Sequence, residues 1–332
     1  MATDKTHAYA AVDIGGTKVA AGIVETDGTI AYRTRVPMVT TEGPDAAFRC
    51  VKDALLSAIA HAGARELVAI GVSAAGPLDP HTGVVLNPPN MPCWRNFPLG
   101  ELMSKAFELP VTVENDANAA GLAEATWGAG KGFRNVFYAT VGTGLGTGLV
   151  LNGKIYNGRT GLAPEAGHIT IDYRGELCGC GKRGCIEALA SGTGIAKRAR
   201  RAMAGGRADS MMLKLANGDA NAITTEMVAE AWRAGDAVAT AVLRETMELV
   251  TVWLGCIVDT LEPDVIVFGG GVGELMSEWF PQISELLPKW CINQRCGEIP
   301  LKLAHYNADA GIAGAAALCA AQGTHATVSV DD

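Results

Sequence analysis

Cys178, Cys180 and Cys185 lie within the run "CGCGKRGC", and His168 stands ten residues ahead of the first. Three thiols and one imidazole are four soft or borderline donors, the number that a closed tetrahedral zinc site takes. Gly179, Gly181 and Gly184 are interleaved with them. Glycines allow a short loop to fold back so that several sulfurs converge on one point. A closed site leaves no position for water, so zinc there would be structural rather than catalytic. The spacing is not that of common zinc fingers. A redox role is the alternative, although Cys178-Gly179-Cys180 is not a C-x-x-C pair. Cys50, Cys93, Cys256, Cys291, Cys296 and Cys319 are scattered, and suit small buried hydrophobes.

A second chemistry is offered by glycine turns. Backbone N–H groups hold phosphate well, and glycine lets the backbone approach closely. The chain has three such turns: Gly15-Gly16-Thr17-Lys18, Gly142-Thr143-Gly144 and Gly269-Gly270-Gly271. None is a Walker loop, and the second also fails the dinucleotide fingerprint, since a strand rather than a helix follows it. Each alone could be an ordinary tight turn. Three at strand ends read together as a nucleotide clasp between two domains.

The elements that must position these residues show a weak internal repeat. Residues 8–36 read as strand, glycine turn, strand, Asp-Gly turn, strand, and residues 136–160 repeat that plan with Asn152-Gly153 as the second turn. After the first meander come a helical stretch near 44–63 and a strand over 67–73. After the second come the cysteine loop and several helices, the clearest being the run from Ile223 to Leu261. The buried strand "DVIVFGGGVG" and an alanine-rich helix starting near Ala310 close the chain. Interleaved strands and helices in each half predict an α/β architecture.

Bulk properties agree with a globular protein. The 332 residues predict about two domains, and 48% hydrophobic with 19% charged residues excludes a disordered chain. No apolar run approaches the ~20 residues of a membrane helix, and the N-terminus lacks the pattern of an export signal, so a cytoplasmic location is expected. A net charge of −8 gives no general attraction to nucleic acid or to an anionic membrane. The basic run Lys197–Arg201 reads as a solvated helix face.

Taken together, "DIGGTK" at 13–18, "AAGPLD" at 74–79, "PNMPCW" at 89–94, "VENDANAA" at 113–120, "VGTGLGTG" at 141–148, "EAGH" at 165–168, "CGCGKRGCIE" at 178–187 and "GGGV" at 269–272 resemble the ROK family of repressors, open reading frames and kinases, and especially its glucose-phosphorylating members. The resemblance implies the actin-like, hexokinase-like ATPase fold: two α/β domains of duplicated design with a cleft between them that takes sugar and ATP. The expected division is a smaller domain, 1–115, joined by the C-terminal helix of about 305–325, and a larger domain, 116–304, with the zinc loop.

By the same resemblance, Asp116 is the base that accepts the proton of the sugar 6-hydroxyl, while Asn90 and Asn115 fix the sugar. From the residues alone, Asp116 could instead cap a helix that starts at "NDANAAGLAEA". Glu165, His168 and Glu187 are implied to contact sugar hydroxyls, with His168 also a zinc ligand beside Cys178, Cys180 and Cys185. Asp13, at a strand end, is expected to face magnesium or phosphate, or else simply to form a turn. Gly15, Gly16, Thr17, Lys18, Thr143, Gly144, Gly269, Gly270 and Gly271 are the expected nucleotide contacts. The implied cofactors are ATP, Mg2+ and structural Zn2+, and the implied assembly is a homodimer or a dimer of dimers.

Other readings differ in class. A kinase for fructose, mannose or N-acetylmannosamine would share this fold and mechanism. A sugar-sensing regulator would need a helix-turn-helix segment, and only about seven residues precede the first strand. Polyphosphate as donor is disfavoured by an acidic chain with no basic track.

Overall fold

The computed structural model describes residues 6–204 and 209–323. Positions 1–5 of the expected first domain, and 324–325 of the expected final helix, lie outside the described residues. Contacts divide the chain into two units. One comprises the chain through Tyr138, Gly148–Pro164, and the chain from Ala304 onward; the other comprises Ala139–Thr147 and Glu165–Leu303.

The first unit is built on a sheet of β1 (His7–Ile14), β2 (Lys18–Glu25), β3 (Ile30–Pro37), β4 (Glu66–Ala74) and β7 (Val111–Asn115), in the order β3-β2-β1-β4-β7. The short pair β5 (Leu78–Asp79) and β6 (Val84–Val85) forms a separate hairpin. The edge strand β3 alternates half-buried and exposed residues, as a strand with one wet face does, whereas β2 is buried along nearly its whole length. β1 runs antiparallel to β2 but parallel to β4, and β4 is parallel to β7. The registers Asp13↔Ser73 and Ala74↔Asn115 therefore bring the carboxyl ends of three strands to one edge of the sheet. In open α/β sheets that edge is where ligands bind.

Helices cover both faces. The helix α1 (Pro44–Ile59) buries Ala47, Val51, Ala54, Leu55 and Ala58 in a core that also holds Val12, Ile70 and Val72. The helix α2 (Leu99–Phe107) adds Leu99 and Met103 to that core. On the other side α11 (Ala310–Gly323) sets Ile312, Ala315 and Ala316 against Ala11, Ala20 and Val24. The approach is so close that a methyl group on Gly71 would lie 1.7 Å from the Ala315 carbonyl oxygen. The loop carrying Asn90 is anchored by Trp94, fully buried, stacked on Phe97 at 4.6 Å, and donating from Nε1 to the Pro44 carbonyl at 3.3 Å.

The helix α3 (Asp116–Thr126) belongs to this unit, although the sequence-based boundary at 115/116 assigned it to the larger domain. The cause is small residues. Gly314 of α11 packs directly on the Ala119–Ala120 backbone, and only alanine and glycine allow two helices so close.

The second sheet has the order β10-β9-β8-β11-β12, formed by β8 (Asn135–Val141), β9 (Leu145–Leu151), β10 (Lys154–Ile155), β11 (Val265–Gly269) and β12 (Leu301–Leu303). Position for position this is the first sheet's order, so the repeat expected from the two meanders is a repeat of topology. Asn152 and Gly153 have φ of 52° and 75°, the left-handed pair that a tight hairpin turn requires.

The second unit contains α4 (Ile186–Ala190), α5 (Gly192–Met203), α6 (Met211–Leu215), α7 (Thr225–Arg233), α8 (Ala237–Leu261), α9 (Gly271–Met276), which packs on β11, and α10 (Phe280–Leu286). The run from Ile223 to Leu261, expected as one helical stretch, is two helices. Gly235 turns the chain at φ 83°, and Asp236 caps α8 by accepting from Val238 N and Ala239 N. Among the described residues no helix is long and apolar enough to cross a membrane.

Candidate active site and metal cluster

In the first unit the aligned strand ends make a corner of acids. Asp13, one residue before the end of β1, is half-buried, and its Oδ1 accepts from Ser73 Oγ at 2.9 Å. A methyl group on Gly311 would sit 2.1 Å from the Asp13 carboxyl carbon, so the start of α11 closes over this residue. Burial, and then the negative charge of Asp116, push the Asp13 carboxyl up to about 6, against the pull of Ser73, Lys18 and Arg35.

Asp116 is the first residue of α3, and the cap is Asn115, whose Oδ1 accepts from Ala117 N at 3.0 Å and Asn118 N at 3.3 Å. Asp116 is thereby released from capping by its side chain's neighbour, which removes the simplest structural explanation for a carboxylate there. It accepts from Ala117 N at 2.8 Å and remains open to solvent. Even so, surrounding protein raises its carboxyl above the usual range by desolvation, while hydrogen bonds from Ala117 and Asn115 work the other way. An accessible, immobilised and unusually basic carboxylate is suited to receiving a proton. Asn90 is exposed, and its carbonyl lies 2.3 Å from where a methyl group on Gly16 would sit. Only glycine at 16 lets these two turns meet. Thr17 and Lys18 lead from that turn into β2, with Gly15 N donating to the Lys18 carbonyl at 3.0 Å.

In the second unit the cysteine loop has almost no regular structure. The isolated bridges Thr170↔Cys185 and Leu177↔Arg183 fold it back on itself. Gly184, at φ 64°, passes so close to Asp172 that a methyl group would lie 1.6 Å from its carbonyl oxygen. The result brings one donor atom each from His168, Cys178, Cys180 and Cys185 within 4.8 Å of one another. His168 Nδ1 is 3.6 Å from Cys178 Sγ, and Cys180 Sγ is 3.7 Å from Cys185 Sγ. Ligands held at ~2.3 Å around a tetrahedral zinc lie roughly 3.5–3.8 Å apart. The cluster therefore has the donors and the spacing to hold such an ion. Burial pushes the Cys178 thiol up to about 12 and raises Cys185 as well, so these thiols keep their protons unless a cation displaces them.

The imidazole has two distinct sides. Nδ1 faces the sulfurs, while Nε2 is 3.9 Å from Glu165 Oε2. Trp253 Nε1 donates to the Ala166 carbonyl at 3.0 Å and pins the turn that carries both residues. Glu187, on α4, accepts from Leu145 N at 3.0 Å through Oε2 and lies 3.8 Å from His168 Nδ1 through Oε1. Gly144 is required there, because a methyl group would be 2.8 Å from that carboxylate. Glu187 thus ties the metal loop to the Gly142–Gly144 turn.

The same unit contains a cavity of about 890 Å³ lined by Gly142, Thr143, Gly192, Thr193, Gly271 and Val272, among others. Gly192 N donates to the Gly142 carbonyl at 2.7 Å, and Thr193 Oγ1 to the Thr143 carbonyl at 2.8 Å. Gly270 leaves β11 at φ 79°, and a methyl group on it would meet the Val141 carbonyl at 2.4 Å. Exposed N–H groups at helix starts suit phosphate, and a volume of this order suits a nucleotide. Of the expected nucleotide residues in this unit, Thr143 and Gly271 line the cavity, whereas Gly144 faces Glu187 and Gly269 ends the buried β11. Gly192 and Thr193 went unrecognised in the sequence. Their signal was present, since "SGTG" at 191–194 repeats the Gly-Thr-Gly of the second turn. Ser73 was also missed, and a single serine in a strand gives no signal.

The ROK family model matches residues 9–322. The glucokinase of Streptomyces coelicolor is 37% identical over 312 residues, spanning 92% of this chain and 96% of that protein. The N-acetylmannosamine kinase of Escherichia coli O157:H7 is 33% identical over 309 residues, spanning 93% and 97%. Among solved structures, a ROK family glucokinase from Streptomyces griseus in complex with glucose and AMPPNP is 34% identical, with a TM-score of 0.78 over 94% of this chain and 98% of its own. The two topologically matched sheets are those of the hexokinase-like, actin-like ATPase fold. With the family model matched over residues 9–322 and a relative 37% identical over 92% of this sequence, the chain belongs to the ROK family.

Proposed function

We propose that this chain transfers the terminal phosphoryl group of ATP to the 6-hydroxyl of glucose, giving glucose 6-phosphate and ADP. The observation that carries the reading is Asp116, an accessible carboxylate held at the β7–α3 junction and made more basic by its surroundings. In the proposed step the sugar O6 forms its bond to the γ-phosphorus as the bond to the ADP oxygen breaks, and the O6 proton passes to Asp116. An aspartate is a weak base toward an alcohol, but the proton leaves late, once the oxygen has begun to bond to phosphorus.

The remaining residues position. Asn90 and Asn115 are the proposed sugar contacts of the first unit, and Glu165, His168 and Glu187 those of the second. Carboxylates suit a polyol because they accept hydroxyl protons. His168, with Nδ1 turned to the sulfurs, presents Nε2–H in a fixed direction. Zinc, when bound by His168, Cys178, Cys180 and Cys185, supplies a rigid cross-link for this loop and sets that tautomer. Gly15, Gly16, Thr17 and Lys18, together with Thr143, Gly270 and Gly271, are assigned to nucleotide binding, with Gly144 and Gly269 shaping the turns that carry them, and Asp13 to the magnesium that accompanies ATP. The glucokinase relatives and the neighbour with glucose and AMPPNP support this assignment. A homodimer or dimer of dimers in the cytoplasm, feeding glycolysis, completes the reading.

N-acetylmannosamine is the second reading for the sugar, carried by the 33% identical kinase. ADP release, measured over a panel of hexoses and N-acetylhexosamines, separates them. Glucose is expected to give the highest kcat/KM, and a larger value for N-acetylmannosamine would overturn the assignment.

A further inference from the structure

Two residues ahead of the proposed base is a carboxylate that the mechanism does not use. Glu114 is 3% exposed, yet it is surrounded by donors rather than cations. Its Oε1 accepts from Asn115 N at 2.8 Å and from Asn118 Nδ2 at 3.4 Å, and its Oε2 accepts from Asn157 Nδ2 at 2.8 Å. Asn157 Oδ1 in turn accepts from Asn118 Nδ2 at 3.2 Å, and Asn118 Nδ2 also donates to the Ala163 carbonyl at 3.0 Å. Burying a carboxylate is costly, and desolvation raises Glu114 above the usual range against the pull of Asn115, Asn157, Asn118 and, last, His81.

The network has a direction, and the carboxylate sets it. An ionised carboxylate is the one member that can only accept. Asn157 must therefore turn its NH2 to Glu114 and its oxygen to Asn118, which obliges Asn118 to use its own NH2. Asn118 Oδ1 is left buried without a partner among the described residues. A chain of neutral amides could run either way, and a carboxylate allows one orientation. The Asn115 N–H lies at the end of this chain, on the residue that caps α3 and precedes Asp116.

We propose that Glu114 is a positioning residue for the phosphoryl transfer, holding the Asn115–Asp116 junction in its working orientation through the Asn118–Asn157 network. The inference rests on reading Asp116 as the base. Removal of the charge while the shape is kept should loosen the backbone of the junction, while the Asn115 side chain keeps its own hold on α3 through Ala117 N and Asn118 N.

The test is Glu114→Gln in the full-length protein, alone and combined with Asp116→Asn, with circular dichroism to establish the folded fraction. The expected result is a 10- to 100-fold fall in kcat with KM for glucose and for ATP within about twofold of the parent. In the Asp116→Asn background the same change should give no further loss, because a residue that acts through Asp116 has nothing left to act on. Asn157→Ala, which removes the donor to Oε2, should lower kcat in the same way by about three- to tenfold. Parental kcat in folded Glu114→Gln overturns the proposal. So does an equal loss in both backgrounds, or a rise in KM alone, either of which places the effect away from Asp116. Should Glu114→Gln not fold, Asn157→Ala decides by the same criteria. Failure of the base assignment is read separately, from near-parental turnover in Asp116→Asn by itself.

Discussion

The acid corner of the first unit and the metal loop of the second differ in what holds them. Asp13, Ser73, Asn115 and Asp116 sit at the ends of hydrogen-bonded strands and at the start of a capped helix, so the backbone ladder fixes their positions. His168, Cys178, Cys180 and Cys185 sit on a loop with two isolated bridges, where the side chains themselves form the framework. The corner accommodates unfavourable charge, since burial raises both carboxyls and the charge of Asp116 raises Asp13 further. In the loop burial favours the neutral thiols Cys178 and Cys185, which become good ligands only on losing protons to a bound cation. A rigid scaffold can tolerate strained electrostatics, whereas a soft loop depends on what its ligands bind.

The corner's role is tested most severely at Asp116. Replacement by Asn preserves size and removes proton acceptance, and kcat should fall roughly a thousandfold with glucose still bound. Steady-state kinetics and a glucose titration check both halves. Near-parental turnover would leave the corner as scaffolding alone.

The loop should respond differently to losing its metal. Protein purified without added metal should contain one zinc per chain by elemental analysis. Chelation, or Cys185→Ser, should raise KM for glucose by about tenfold or more, because His168 and Glu187 lose their support. The first unit's sheet should persist, read as retained amide protection in β1, β2 and β4 by hydrogen exchange. Equal loss of protection in both units would erase the distinction between scaffold and loop.

The smallest effect concerns stability. A carboxyl raised in the folded state binds its proton more tightly there than in the unfolded chain. Its contribution is therefore most favourable at low pH and is lost as pH rises from about 4 through about 6. Asp13→Asn keeps an acceptor for Ser73 and should stabilise the protein by about 1–2 kcal/mol above pH 7, with a melting temperature higher by a few degrees. Below pH 4 the difference should vanish, and activity should be lost throughout. Equal melting temperatures at pH 8 would mean that the acid corner carries no electrostatic cost.

Some features of this molecule are local in the chain and were legible there. The cysteine loop is one, because Cys178, Cys180, Cys185 and the intervening glycines fall within a single turn-rich segment. The two meanders are another, since Asp27-Gly28 and Asn152-Gly153 encode their own turns. Asp116 was legible through its motif rather than through any physical pattern. Its role as helix cap, which the residues alone allowed, passed to Asn115, one position away.

The chain's own residues thus determined the turns, the strand pairs they join and the donor set of the metal loop, because each depends on interactions between near neighbours. Tertiary structure alone decided that Ser73 meets Asp13 across 60 residues, that Gly192 closes on Gly142, and that α3 joins the first unit by packing on Gly314. It also decided that Glu114 orients Asn157 across 43 residues. These contacts come from parallel strand register and close helix packing, whose partners are chosen by the folding of distant segments and leave no mark on local sequence.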